Sequence, residues 1–289
     1  MTIDVEDYFQ VGVFQDRVRQ EEWGNFELRV GRNLDRCCEI LDEFDIKATF
    51  FVLGWVAEQI PDAIKRLAAE GHEVGSHGYN HQPIWKLDPE SFQEDIAKSQ
   101  GILGDILGQA PTCYRAPCFS VTTKTLWALD ILHDAGFTHD SSIFPVHHPE
   151  YGIPDAPEGL HRIKLPSGGE IVEFPMTVGS LLGKKLAFCG GGWFRLFPYR
   201  LTRRSLKRSE ATRPFVFYLH PWELDPDQPR LHDRTSRLGR FRHYVNLDRN
   251  EDKFRRLLAE FNFGTMKDVF DAAMQSQGEL PLVDYWVSK

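Results

Sequence analysis

The sequence predicts one α/β domain of barrel type, and three observations carry that reading. Short β-rich runs alternate with amphipathic helical stretches, the pattern of parallel strands joined by crossover helices. Seven such runs occur, and no linker, internal repeat or low-complexity tract divides the 289 residues. Ionisable side chains fall at the C-terminal ends of those runs, where parallel α/β barrels build their sites. The composition agrees, since 42% hydrophobic and 26% charged residues are ordinary for a globular chain able to bury a sizeable core.

Strand one is Thr2–Val5. A helix follows over Arg32–Phe44, with Leu34, Cys37, Cys38, Leu41 and Phe44 on one face. Strand two is Ala48–Trp55. The next helix opens at Pro61, where a missing N–H costs nothing, and closes before Gly71. Strand three is His72–Ser76. Asp88 and Pro89 read as N-cap and first turn of a helix running to about Gly108. Strand four is Thr112–Ala116, then a helix over Lys124–Ala135, then strand five, Phe137–Ser141. A Pro- and Gly-rich excursion, Pro145–Gly169, leads to strand six, Glu170–Phe174. The loop Cys189–Trp193 precedes a helix over Tyr199–Ser209 and strand seven, Pro214–Leu219. Helices over Asp252–Phe261 and Thr265–Gln275 form the tail.

The formal charge of −8 argues against nucleic-acid binding. No run of 18 apolar residues exists, and Met1 leads directly into a strand, so the chain is expected to be cytoplasmic, without signal peptide or membrane span. The five cysteines form no CxxC pair and read as reduced, structural thiols. Charge is uneven along the chain: residues 1–60 carry 13 acidic and 6 basic side chains, residues 195–213 carry 7 basic and 1 acidic. The basic stretch reads as a solvated helix face, or as a surface for an anionic glycan, a lipid pyrophosphate or membrane headgroups.

Position singles out the candidate chemistry. Asp4, Glu6 and Asp7 end strand one, His77 and His81 follow strand three, Arg115 closes strand four, Asp140 and Glu173 lie near the ends of strands five and six, and His220 follows strand seven. His77 and His81 are an HxxxH pair, which on a helical turn would share a face. Two imidazoles with one carboxylate make a catalytic divalent site with open positions. Such an ion brings the pKa of bound water towards ~7. Strand alternation puts Asp4 and Glu6 on one side, so Asp4 is preferred as base and Glu6 as ligand, with Asp7 the alternative ligand. Arg115 could hold Asp4 ionised, and His220 could supply a proton near neutral pH. Taken singly, surface histidines, an acidic loop and a strand-end salt bridge would account for the same residues.

Together the runs TIDVED, SHGYNH, YRAP, HDSSIF and YLHP, in this order over residues 2–222, resemble the polysaccharide deacetylase superfamily, carbohydrate esterase family 4. The later runs GGGWFRLFPY, PWELDPDQPR and RFRHYVNLDR resemble the C-terminal extension of the subgroup found with exosortase-linked exopolysaccharide gene clusters. The resemblance implies a distorted (β/α)7 barrel over residues 1–222, with a helical extension over 223–289 packed on the same domain. It also implies one divalent metal, usually zinc, and removal of N-acetyl groups from hexosamines of a polysaccharide or lipid-linked glycan. Carried over, Asp4 matches the base, His77 and His81 the metal ligands, Arg115 the brace of the base and His220 the general acid. Asp140 falls in the motif whose aspartate or neighbouring aromatic supports that histidine, and the Cys118 backbone N–H matches an oxyanion donor. Phe119, Phe144 and Trp222, with Trp85 and Trp193, are candidates for stacking on sugar rings, core packing being the other account of each. Three features depart from the family pattern. Asp-Val-Glu-Asp replaces an adjacent Asp-Asp pair, leaving Glu6 or Asp7 as ligand; the fourth motif offers Phe144 for a tryptophan; and RAPCF lacks a tyrosine. Hydrolysis of another, cyclic amide and non-catalytic glycan binding are the competing readings.

Overall fold

A computed structural model describes the whole chain except residues 182, 183, 232, 233, 288 and 289. Its strands are β1 (Thr2–Val5), β2 (Thr49–Val52), β3 (Glu73–Ser76), β4 (Cys113–Tyr114), β5 (His139–Asp140), β6 (His161–Lys164), β7 (Glu170–Glu173), β8 (Gly179–Leu181), β9 (Lys184–Leu186), β10 (Tyr218–Leu219) and β11 (Leu282–Val283). Its helices are α1 (Val30–Glu43), α2 (Gly54–Gln59), α3 (Pro61–Ala69), α4 (Pro89–Leu107), α5 (Trp127–Asp134), α6 (Gly191–Leu196), α7 (Tyr199–Glu210), α8 (Arg237–Tyr244), α9 (Asn250–Glu260) and α10 (Met266–Gln277).

The main sheet runs in the order β10-β1-β2-β3-β4-β5-β7-β6-β11. From β10 to β7 every neighbouring pair is parallel, and these strands are the wall of a distorted (β/α)7 barrel. Between β7 and β10 the described residues show no strand ladder. A side chain bridges that gap: Thr177 Oγ1 accepts the Val216 N–H at 2.8 Å. On the far side β6 pairs antiparallel to β7, so the excursion expected to be loop contains a strand. Only four residues long, HRIK is too short for its alternation to stand out.

Local signals explain most boundaries. Asp88 caps α4 by accepting the Ser91 N–H at 2.8 Å, and Gly108 ends it at φ 77°. Strand two stops earlier than expected because Gly54 opens α2, where a Cβ would sit 2.8 Å from Tyr79 Cδ2 and 3.0 Å from Ser99 Cα. Only glycine lets α2 approach α4 there. The CGGGW segment, expected as loop, already enters α6 at Gly191, and α8, β8, β9 and β11 were not foreseen.

Ile3 and Val5 of β1 are buried with Leu34, Cys37 and Leu41 of α1 and Phe254, Leu257 and Leu258 of α9. Residues beyond 222 therefore share a core with the first strand. Each such aliphatic or aromatic side chain contributes roughly 1.5–3 kcal/mol on burial. Among the described residues no helix is long and apolar enough to cross a membrane.

Candidate active site

With Ile3 and Val5 facing the core, Asp4 faces the barrel axis. Asp4 Oδ1 lies 2.7 Å from Arg115 Nη1. Arg115 is itself fully buried and immobilised: Nε donates to the Ser141 carbonyl at 2.9 Å, Nη2 to Ser141 Oγ at 2.7 Å, and Nη1 also to Thr2 Oγ1 at 2.8 Å. Its guanidinium lies over the Phe51 ring at 4.3 Å. A cation fixed by so many hydrogen bonds holds its carboxylate partner in one orientation.

One ligand atom from each of Glu6, His77 and His81 falls within 4.8 Å of the others, and all three residues are buried. His77 Nδ1 lies 2.8 Å from the Arg115 carbonyl oxygen, which can only accept, so Nδ1 carries the proton and Nε2 keeps a lone pair. Burial lowers its pKa to about 4, so the ring is neutral. Burial alone would raise the Glu6 carboxyl, but the imidazoles of His81, His220 and His77 outweigh it and hold it at about 2. His77 to His81 is not a helical turn, contrary to the expectation from HxxxH. It is a tight loop with Gly78 at φ 75° and His81 at φ 51°, and it brings the ring centroids to 5.3 Å. Asp95 of α4 shapes that loop by accepting the N–H groups of Tyr79 (2.8 Å) and Asn80 (3.1 Å).

Asp7, the alternative ligand, is placed elsewhere. Its carboxylate accepts the N–H groups of Tyr8 (2.8 Å), Arg29 (2.7 Å) and Val30 (2.8 Å), and so anchors the start of α1. Burial nevertheless pushes its carboxyl up to about 6.

His220 Nε2 is 3.4 Å from Glu6 Oε1 and 4.0 Å from Asp4 Oδ2. Its Nδ1 is 2.7 Å from Glu223 Oε1, and Glu223 Oε2 is 2.8 Å from Arg195 Nε. Burial alone would lower the imidazole pKa, but Glu6, Glu223 and Asp4 outweigh it and raise it to about 9. Asp140, expected to support this histidine, does not reach it. Asp140 accepts from Ser142 Oγ at 2.6 Å and sits in register with Glu173 across the β5–β7 pair. Burial raises both carboxyls, Glu173 the more strongly, so the two share a proton. Glu223 is the partner that sequence reasoning missed. Its signal was the H-P-W-E spacing, which puts a carboxylate at the third position of the turn that His220 caps.

Two of the proposed sugar-stacking residues are not available for that role. Phe144 is 1% exposed and packed against Phe119 and Tyr151. Trp222 is 2% exposed and stacks with His220 at 5.3 Å and with His243 at 4.4 Å. Trp222 instead donates from Nε1 to Glu6 Oε1 at 3.2 Å. Phe119 is half-buried and edge-on to Tyr218 at 5.1 Å. Cys118 and Phe119 are consecutive left-handed residues, φ 56° and 53°, of the kind found where a site imposes its own backbone. Burial, helped by Glu6, pushes the Cys118 thiol up to about 12, so it is neutral.

A polysaccharide deacetylase family model matches residues 25–139, taking in His77, His81 and Arg115. A domain of unknown function, DUF3473, matches residues 141–271, which include His220 and Glu223. A peptidoglycan-N-acetylglucosamine deacetylase of Bacillus cereus is 36% identical over 104 residues, 35% of this chain and 38% of that protein. A peptidoglycan deacetylase of Helicobacter pylori is 30% identical over 120 residues, 42% of this chain and 39% of that protein. The chain thus matches under two-fifths of the length of these relatives. Among solved structures, a Mycobacterium smegmatis protein assigned as a polysaccharide deacetylase superposes with TM-score 0.62 at 20% identity, covering 97% of this chain and 91% of that one. The Puue allantoinase superposes with TM-score 0.59 at 14% identity, covering 96% and 89%. At such identities the likeness is one of fold. Sequence match and motif order agree that residues 25–139 are similar to the polysaccharide deacetylase family, and the chain as a whole shares the barrel fold of these solved structures.

Proposed function

We propose that the chain hydrolyses N-acetyl groups from N-acetylhexosamine units of a glycan, releasing acetate and a free amine. The observation that carries this reading is the placement of a braced carboxylate, Asp4, and an oriented imidazole, His220, beside the Glu6–His77–His81 group. That group fits a divalent transition metal, zinc by preference: one ionised carboxylate, one imidazole with its Nε2 lone pair free, and a second imidazole, His81, whose Nε2 lies 2.8 Å from Glu6 Oε2. When bound, the ion would make water more acidic and polarise the acetamide carbonyl.

The chain's own residues supply the rest. Asp4 accepts a proton from the attacking water while Arg115 keeps the carboxylate in place. His220, its Nδ1 proton held by Glu223, delivers a proton from Nε2 to the departing nitrogen. We assign the Cys118 N–H to the developing oxyanion and the half-buried Phe119 ring to the sugar. An exopolysaccharide or its lipid-linked precursor is the substrate class we put first, on the resemblance of the C-terminal runs. Acetate release from N-acetylglucosamine oligomers by zinc-loaded protein tests the reading. Release that persists unchanged after chelation and dialysis would sink it.

A further inference from the structure

The helix α8 is two-faced. Its inner side is Gly239 and His243, four residues apart and buried. A Cβ on Gly239 would sit 2.7 Å from Val13 Cγ2, and His243 lies between Phe14 (4.8 Å) and Trp222 (4.4 Å). Its outer side carries Leu238 and Phe241, 66% and 54% exposed, two of the most exposed large apolar side chains described. Between and beside them stand Arg237, Arg240 and Arg242, and among the described residues none of these has an ion-pair partner. The C-terminal end of α8 is tied to α6, since Arg195 donates from Nη2 to the Arg242 carbonyl at 3.2 Å, and α6 ends in the exposed Leu196.

Apolar side chains in water without cover are unfavourable, and three guanidiniums without an ion-pair partner among the described residues, on a chain of net charge −8, mark a local departure from its overall sign. A basic helix with aromatic and aliphatic residues on its solvent side is the pattern of an interfacial helix. We infer that the outer face of α8 docks on an anionic phospholipid surface, with Leu238 and Phe241 entering the headgroup–acyl boundary and Arg237, Arg240 and Arg242 meeting the phosphates. The complementarity of charge selects this occupant over a neutral apolar partner. Because the inner face of α8 stacks through His243 on Trp222, which holds Glu6, docking places the candidate active site next to the bilayer. The inference does not depend on the deacetylase reading, and its test is separate from turnover.

The test is co-sedimentation of the full chain with phosphatidylcholine vesicles, with and without phosphatidylglycerol. Binding is expected only to the anionic vesicles and should weaken as salt rises. Leu238→Ser with Phe241→Ser should reduce it at least about tenfold, and Arg→Gln at 237, 240 and 242 should each cost roughly fivefold. Acetate release from soluble oligomers should be unchanged in the Leu238→Ser/Phe241→Ser chain, which also reports that it is folded. Failure of the parent chain to bind at low salt would overturn the inference. So would equal binding by the double variant, or a parent chain that dimerises through this face and becomes monomeric on Phe241→Ser. Absence of acetate release with vesicle binding intact would count against the proposed function alone.

Discussion

Two places in this barrel gather the residue types of a metal site, one above the strands and one below. Above, Glu6, His77 and His81 converge within 4.8 Å; below, Cys38, Glu70 and His72 do the same. Proton positions separate them. The His77 proton is drawn to Nδ1 by the Arg115 carbonyl, which leaves Nε2 free. At His72 the Ala48 N–H points at Nδ1 at 3.2 Å, so in the neutral ring the proton sits on Nε2 and no lone pair is left for an ion. Glu6 is held ionised at about 2, whereas burial pushes the Cys38 thiol up to about 12. Spacing is thus equal in the two groups, and the backbone hydrogen bonds to their histidines and the burial of the Cys38 thiol set them apart.

The largest effect should come from the upper group. His77→Ala should lose the bound zinc and, with it, about 10³-fold in acetate release, given the several kcal/mol such an ion supplies. Elemental analysis of the purified chain should fall from about one zinc to none. A chain that kept its zinc after this change would remove the distinction drawn above.

Next comes Glu223. Glu223→Ala strands Arg195, which is buried and ion-paired to it at 2.8 Å, and should cost about 3–5 kcal/mol in chemical denaturation. Glu223→Gln keeps a hydrogen-bond acceptor for His220 and should fold better while lowering kcat more than KM changes. Equal stability of the two variants would argue that Glu223 is not the brace of His220.

The Asp140–Glu173 pair gives a pH signature. A carboxyl whose folded pKa is raised contributes stability at low pH that is lost as pH rises through the folded value, because the folded state binds more protons. Unfolding free energy should therefore decline from about pH 4 upward. Glu173→Gln should flatten that decline; an unaltered slope would place the shared proton elsewhere.

Smallest are changes below the barrel. Cys38→Ser and His72→Gln should leave zinc content unaltered and activity within about twofold, with a cost of roughly 1–3 kcal/mol for the disturbed burial. Loss of zinc in either would show that the lower group ligates after all.

Features written in a few consecutive residues were legible in the sequence. The TIDV strand, the Asp88-Pro89 helix start and the strand-end positions of Asp4, His77, Arg115 and His220 all depend on local alternation or capping. The rest depends on contacts distant in sequence. Glu6 was separated from Asp7 only by which carboxylate the N–H groups of residues 29 and 30 claim. Asp140 was read as the partner of His220 from its motif, yet strand register gave it to Glu173 and left the role to Glu223. Trp222 and Phe144 stayed open between sugar platform and core packing because aromatic type says nothing of which rings cover it. The β6 strand was missed because its pairing, not its composition, makes it a strand.

The most direct test compares the parent chain with Asp4→Asn, both loaded with zinc, for acetate released from N-acetylglucosamine oligomers. The account predicts one zinc per chain in both and a rate at least about 10²-fold lower for Asp4→Asn. Equal rates at equal zinc would contradict it.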